Sequence, residues 1–353
     1  MSMVLLTACL VVRDEAPRIA ATLAALEPLV DEIVVHDTGS HDDTPGIARR
    51  AGATVLRGQW RDSFAEARNV ALAAAHGDWV LSVDADETAT GEPAALRALL
   101  TGASEPDLAV TLHNLREDDR TSGGGYTSTA VRLFRRAGAR WSGRVHERVE
   151  RDGAVPGRAP RLVPATLLQL EHHGYATEQV VRTKAMRNGQ LARVELDELV
   201  AAGAPAPELA RAVLKVGRAA VGTGEVQRAV DAFEAVRELV PAGGTRQEAT
   251  DYLARVLLGA GEAELAVVLA DELEQAGADV SYCRWLRAQG LAQSNRPVAA
   301  LEQLEGLTCI VDTAGRRHDP RALEALRGLC RELLEAAARD RAAHLASSRG
   351  GAR

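Results

Sequence analysis

Gly77-Asp78-Trp79-Val80-Leu81-Ser82-Val83-Asp84-Ala85-Asp86-Glu87 leaves this chain few folds to choose from. Trp79 to Val83 is short, apolar and β-favouring, the composition of a strand covered on both faces of a sheet. It stops at three acids. Residues two apart in extended backbone share a face, so Asp84 and Asp86 are expected to address one volume beyond the strand's carboxyl end. Open α/β sheets hold their ligands there. Two hard oxygen donors suit Mg²⁺ or Mn²⁺, with a diphosphate completing the shell. An acidic turn has the same Asp-x-Asp spelling, so the neighbouring segments decide.

Those neighbours alternate. Leu5 to Val12 reads as a strand running into Arg13-Asp14-Glu15, and Pro17 opens a helix from Arg18 to Glu27. Glu32 to His36 is a second strand, ending in Asp37-Thr38-Gly39-Ser40 before a helix from Pro45 to Ala51. Thr54 to Leu56 is a short third strand, and Phe64 to His76 is a helix with alanines on one side. Such β-α alternation predicts a parallel sheet with helices on both faces. The strand ends then gather Arg13-Asp14-Glu15, Asp37 and Asp84/Asp86 on one rim. Beyond the acids, Glu87 reads as a cap for a helix from Glu92 to Leu100. Leu108 to Leu115 reads as a strand, and the glycine-rich Arg116 to Gly125 as a loop over the cleft.

Composition removes several classes of function. A net charge of -7 and a pI near 5.8, with no long basic run, argue against a nucleic-acid binder. The cysteines, Cys9, Cys283, Cys309 and Cys330, are far apart and form no Cys-x-x-Cys pair. No zinc site or disulfide framework is expected, and a reducing compartment fits. The apolar opening, Met3 to Val12, lacks a basic start and is too short to span a bilayer. A cytoplasmic protein without a transmembrane segment is the expectation.

Val11-Val12-Arg13-Asp14-Glu15, the run from Asp31 to Thr44, Ala67-Arg68-Asn69 and the stretch from Gly77 to Glu87 closely resemble family 2 glycosyltransferases of the GT-A fold. The resemblance covers the first half of the chain, departing at His36 and His41, where the family has an aliphatic residue and Thr. It implies an α/β catalytic domain, Rossmann-like with a mostly parallel sheet, using a UDP-sugar donor and a divalent Mn or Mg ion. Asp37, helped by Arg13, Asp14 and Glu15, would bind the uracil or ribose, and Arg68 would contact the nucleotide side. Asp84 and Asp86 would hold the divalent ion that bridges the diphosphate, with Ala85 between them and Asp86 the more direct ligand. The block Ala130-Val131-Arg132-Leu133-Phe134-Arg135-Arg136 followed by Trp141-Ser142-Gly143-Arg144-Val145-His146-Glu147 resembles lipopolysaccharide-core glucosyltransferase-like members. An inverting transfer needs a base to take the acceptor's proton. Here the candidates are Glu147, favoured, and His146. Trp141 is a candidate acceptor platform. Glu171-His172-His173-Gly174-Tyr175 resembles the element that closes this domain, and His172 or His173 would supply a third metal ligand.

From Thr177 strand signals vanish. Thr177 to Ala202 reads as one long helix, broken by Gly203-Ala204-Pro205-Ala206-Pro207. Gly224-Glu225-Val226-Gln227-Arg228-Ala229-Val230 then realigns with Gly261-Glu262-Ala263-Glu264-Leu265-Ala266-Val267, 37 residues on, and with Asn295-Arg296-Pro297, a further 34 on. That spacing is close to the tetratricopeptide period of about 34 residues. The expected division is residues 1–176 as the GT-A domain, 177–207 as connecting helix and linker, 208–346 as an all-α tetratricopeptide-like domain, and 347–353 as a disordered tail.

The expected function is a metal-dependent inverting glycosyltransferase whose acceptor is a peptide or protein held by the repeats, as in peptide-glycosylating relatives of that architecture. A glycan, lipid-linked or small-molecule acceptor is the alternative. A homodimer through the helical domain, or a scaffold without catalysis, would use the same repeats differently.

Overall fold

The computed structural model of the chain describes residues 4–116, 126–151, 160–174 and 178–350. It divides into two compact units, residues 1–180 with 190–195, and residues 181–189 with 196–353. The expected glycine-rich loop falls on residues 117–125, and Tyr175 on 175–177, both outside the described residues.

The first unit opens with the predicted alternation: β1 (Leu6–Val12), α1 (Ile19–Leu26), β2 (Glu32–Asp37), α2 (Thr44–Arg50), β3 (Thr54–Arg57), α3 (Phe64–Ala74) and β4 (Trp79–Ser82). It continues with β5 (Glu87–Gly91), α4 (Pro93–Gly102), β6 (Asp107–Arg116), β7 (Tyr126–Arg135), β8 (Ala139–Ser142), β9 (Arg148–Arg151), β10 (Arg161–Leu162) and β11 (Leu168–Gly174). One nine-stranded sheet runs β3-β2-β1-β4-β7-β6-β11-β5, with β10 paired to β6, and β8 and β9 form a separate hairpin. Strands β3, β2, β1 and β4 are parallel, whereas β7 is antiparallel to both its neighbours and β5 is antiparallel to β11. The sheet is therefore mixed and largely parallel.

Unbroken apolar runs in β1 and β4 follow from burial on both faces. Leu6, Ala8, Leu10, Trp79 and Leu81 pack with Ile19, Leu23 and Leu133. Cys9 and Val80 turn the other way, onto Ala71 and Leu72 of α3 and onto Phe134.

Two local features differ from the sequence reading. Strand β4 ends at Ser82, and Asp84 to Glu87 is a turn closed by Glu87 N–H donating to the Asp84 carbonyl at 3.1 Å. Asp84 and Asp86 therefore do not share a strand face. Glu87 starts β5 rather than capping a helix, because the chain must reverse here to pair with β11. The second feature lies in β7. Leu133 pairs with Leu108 and Val131 with Ala109, so Arg132 has no partner across the ladder and is the extra residue of a β-bulge.

The second unit is helical. Helix α5 (Glu178–Ala201) straddles the division, its residues 190–195 grouping with the first unit. Then come α6 (Ala206–Thr223), α7 (Val226–Leu239), α8 (Gly244–Ala260), α9 (Ala263–Gln275), α10 (Val280–Gln293), α11 (Pro297–Leu304) and α12 (Pro320–Gly350). The three residues aligned at the repeat turns, Gly224, Gly261 and Asn295, all have left-handed backbone, with φ of 78°, 86° and 54°. Each repeat is thus a helix pair reversed by the same kind of turn. Within the first pair Gly217 lets Phe233 lie against α6, since a Cβ there would meet the ring at 2.5 Å. Asp251 is buried as a polar anchor, accepting from Tyr282 Oη, from Thr313 Oγ1 at 2.6 Å and from Arg255 Nη2 at 3.4 Å. Helix α12 runs to Gly350, past the expected boundary at 346, because no strong helix breaker precedes the terminal glycines. Among the described residues no helix is long and apolar enough to cross a membrane.

Candidate active site

The first unit gathers its charged side chains at the carboxyl ends of β1, β2 and β4. Asp37 ends β2 fully buried, its Oδ1 accepting from Ser40 N at 2.9 Å and Gly39 N at 3.3 Å. Its Oδ2 is buried without a hydrogen-bond partner, and Arg57 Nε stands 3.6 Å away. The first loop is stitched to the second: Asp14 N donates to Ser40 Oγ at 2.9 Å, His41 N to Asp14 Oδ1 at 2.7 Å, and Glu15 N to Thr44 Oγ1 at 2.8 Å. Arg13 remains half exposed, 3.8 Å from Asp14, while the Glu15 carboxylate accepts from Arg18 at 3.2 Å.

The acidic turn sits beside this rim. Asp84 takes Arg68 Nη2 on Oδ1 at 2.8 Å and Arg132 Nη2 on Oδ2 at 3.2 Å. The same Arg132 nitrogen donates to Glu87 Oε1 at 2.8 Å, and Glu87 Oε2 accepts from Asp84 N at 2.8 Å. Arg68 also donates to Ser82 Oγ at 2.8 Å and, through Nε, to Glu147 Oε1 at 2.5 Å. Burial opposes the charge on Asp84, but Arg132 and Arg68 outweigh it and hold its carboxyl below the usual carboxylate range. Glu87 is 1% exposed; burial pushes it up to about 7, with Arg132 pulling down and the Asp84 charge pushing further up.

Asp86 faces elsewhere. Its Oδ2 lies 3.2 Å from His172 Nε2 on β11. That hydrogen bond raises the His172 pKa against the opposing effect of burial. His173, one residue on, points to the other face and bonds Thr88 Oγ1 through Nε2 at 2.8 Å. Of the two histidines, His172 is thus the one that lies against Asp86. Ala85 contributes backbone: its carbonyl accepts from buried Thr22 Oγ1 at 2.8 Å and pins the turn.

Several expected site residues are engaged with the protein itself. Arg68 has its Nε, Nη1 and Nη2 on Glu147, Ser82 and Asp84. Trp141 does not face an acceptor: it is 9% exposed, edge-on to Phe134 at 5.5 Å, with the Arg68 guanidinium over its ring at 5.1 Å. Asp84, with both oxygens on guanidinium groups, and His173 do not join Asp86 in a ligand set. Among the described residues no group of three or more His, Cys, Asp and Glu side chains is placed to hold a metal ion. Asp86 and His172 alone fit an edge of one. Neighbouring donors in an octahedral shell at about 2.1 Å from Mg²⁺ stand about 3 Å apart, close to this pair's separation.

His146 and Glu147 lie in the corner between β8 and β9. His146 is exposed on left-handed backbone, φ 50°, and Glu147 is nearly buried against Arg68. Arg144 N donates to Glu195 Oε2 at 2.8 Å, fixing the corner. Arg132 is the site residue that sequence reasoning left out. Its signal was a single charge inside the apolar run Val131-Arg132-Leu133-Phe134, a position that requires a buried partner.

Residues 7–149, about two fifths of the chain, match the family model described as glycosyl transferase family 2, so the chain contains a domain of that family. A TPR repeat-containing protein of Synechococcus elongatus is 40% identical over 177 residues, 49% of this chain and 43% of that protein. A protein named as an uncharacterized glycosyltransferase of Rickettsia felis is 37% identical over 92 residues, 25% of this chain and 30% of that protein. The chain spans less than half the length of these curated relatives. Among solved structures, glucosyl-3-phosphoglycerate synthase from Mycobacterium tuberculosis, in complex with Mn²⁺, UDP and glucosyl-3-phosphoglycerate, is 25% identical over 34% of this chain and 47% of that one. Its TM-score is 0.26, too low for the likeness to bear on fold or function.

Proposed function

We propose that this chain transfers a sugar from a UDP-sugar to an acceptor with inversion, using a divalent Mg²⁺ or Mn²⁺ ion. The observation behind this is the meeting of Asp86 and His172, 86 residues apart in the chain, on the rim that also holds Asp37. Asp86 and His172 are the residues that would hold the ion, leaving most of its shell to the diphosphate and water. When bound, it supplies positive charge against the charge that builds on the departing UDP. Asp37 is suited to the nucleoside: a buried carboxylate with one unpartnered oxygen favours a donor such as a ring N–H or ribose hydroxyl. Arg13, half exposed on the first loop, is available to the same ligand.

His146 and Glu147 are the groups for the acceptor's proton. Glu147 is held by Arg68, so exposed His146 is the better placed to meet an acceptor, with Glu147 fixing the corner. Repeated helix pairs with matching left-handed turns favour an extended peptide or protein as acceptor over a glycan.

The test is calorimetric titration of the full chain with UDP, in MnCl2 and in EDTA. Binding in MnCl2 that weakens at least tenfold in EDTA supports the reading, and heat-silent titrations in both refute it. Asp37→Asn is expected to weaken UDP in both buffers alike.

A further inference from the structure

We propose that Arg132 is a positioning residue: held by Glu87, it keeps Asp84 out of the metal shell and sets the turn so that Asp86 and His172 carry the ion. This rests on the reading of the site as a metal–diphosphate site.

Two independent observations support it. The first is backbone. Pairing between β4 and β7 runs Trp79 with Arg135, Val80 with Phe134 and Leu81 with Leu133. On the other side of β7 the ladder to β6 skips Arg132. One extra residue has therefore been placed at the position level with the end of β4, where a bulge re-aims a side chain. The second is contact. A single nitrogen, Nη2, reaches both Asp84 at 3.2 Å and Glu87 at 2.8 Å, and Glu87 returns to the turn through Asp84 N at 2.8 Å. Arginine, carboxylate, backbone and second carboxylate make a closed ring around the turn. Beyond Asp84 the alternation of charge continues through Arg68 to Glu147.

The consequence for ligands follows from charge. Asp84 already has a guanidinium on each oxygen, and a dication entering that position would meet both. Asp86 instead lies against the His172 ring, whose Nε2 is of a kind that ligates divalent ions. Asp84 is thus a fixed post, and the ion falls to Asp86 and His172.

The test uses the full chain with Asp84→Asn, Asp86→Asn, Arg132→Gln and Arg132→Lys, titrated with UDP in MnCl2 and in EDTA, at a temperature where each variant is folded. Asp86→Asn is expected to bind UDP equally in both buffers, having lost the metal's increment. Asp84→Asn and Arg132→Gln should keep that increment while binding UDP at least tenfold more weakly, and Arg132→Lys should recover to within threefold of the parent. The proposal is overturned if Asp84→Asn loses the increment as Asp86→Asn does, or if Arg132→Gln binds as the parent does. If the parent chain itself ignores UDP, the donor reading fails and Arg132 is judged by unfolding alone. Melting-temperature losses for Arg132→Gln and Glu87→Gln should then be strongly non-additive, and additive losses refute the pairing.

Discussion

His172 and His173 are adjacent, yet one meets Asp86 and the other Thr88, so of the two it is His172 that pairs with an acid of the turn, where Glu87, pushed up to about 7, is a second group titrating near neutrality. The Asp86 contact raises the folded pKa of His172 above its ordinary 6.5. In ion-free protein the charged pair contributes stability that is full below about pH 6.5 and is lost as pH rises through the folded value. His172→Gln should therefore cost melting temperature at about pH 5.5 and little at about pH 8.5; melts of both proteins in EDTA check this, and an equal cost at both values refutes it. Asp37 and Asp86 could be read from the sequence because one ends an apolar run and the other lies three residues past the end of one. Arg132 could not be placed the same way. Its role depends on a bulge, an irregularity in the pairing of β6 with β7 that neither strand's own residue pattern encodes. The turn at Asp84 was likewise hidden, since its cause is β5 pairing with a strand 80 residues later.

Among elements, the repeat turns are the most regular feature of the helical unit. Gly224 and Gly261 take left-handed backbone without a side chain to crowd it, whereas Asn295 holds it at φ 54° with one. Asn295→Gly is expected to stabilise the helical unit by up to about 1 kcal/mol, and Gly261→Ala to destabilise it by about 1 kcal/mol. Urea unfolding followed by helical circular dichroism measures both, and a destabilised Asn295→Gly would refute the account. The helical period, the turn glycines and the β-α alternation were legible because each is written within about 40 residues. The antiparallel β7 between β4 and β6 was not, because strand order in a mixed sheet is set by tertiary pairing.

For the molecule as a whole, the division into two units predicts two unfolding events in scanning calorimetry. Asp251→Ala removes the buried acceptor shared by Tyr282, Thr313 and Arg255, a class of loss that runs to about 3 kcal/mol. It should lower one transition only, while UDP with MnCl2 raises the other. A single transition that shifts with both would refute the independence of the units. The bulge at Arg132 also makes the coding sequence unusually tolerant of one kind of change. Losing a single in-frame codon there removes the one unpaired residue, so Val131 and Leu133 become neighbours and keep Ala109 and Leu108 as partners, and the ladder to β6 closes without a change of register. A three-nucleotide deletion at this point should therefore remove the Arg132 contacts while sparing the strand pairing.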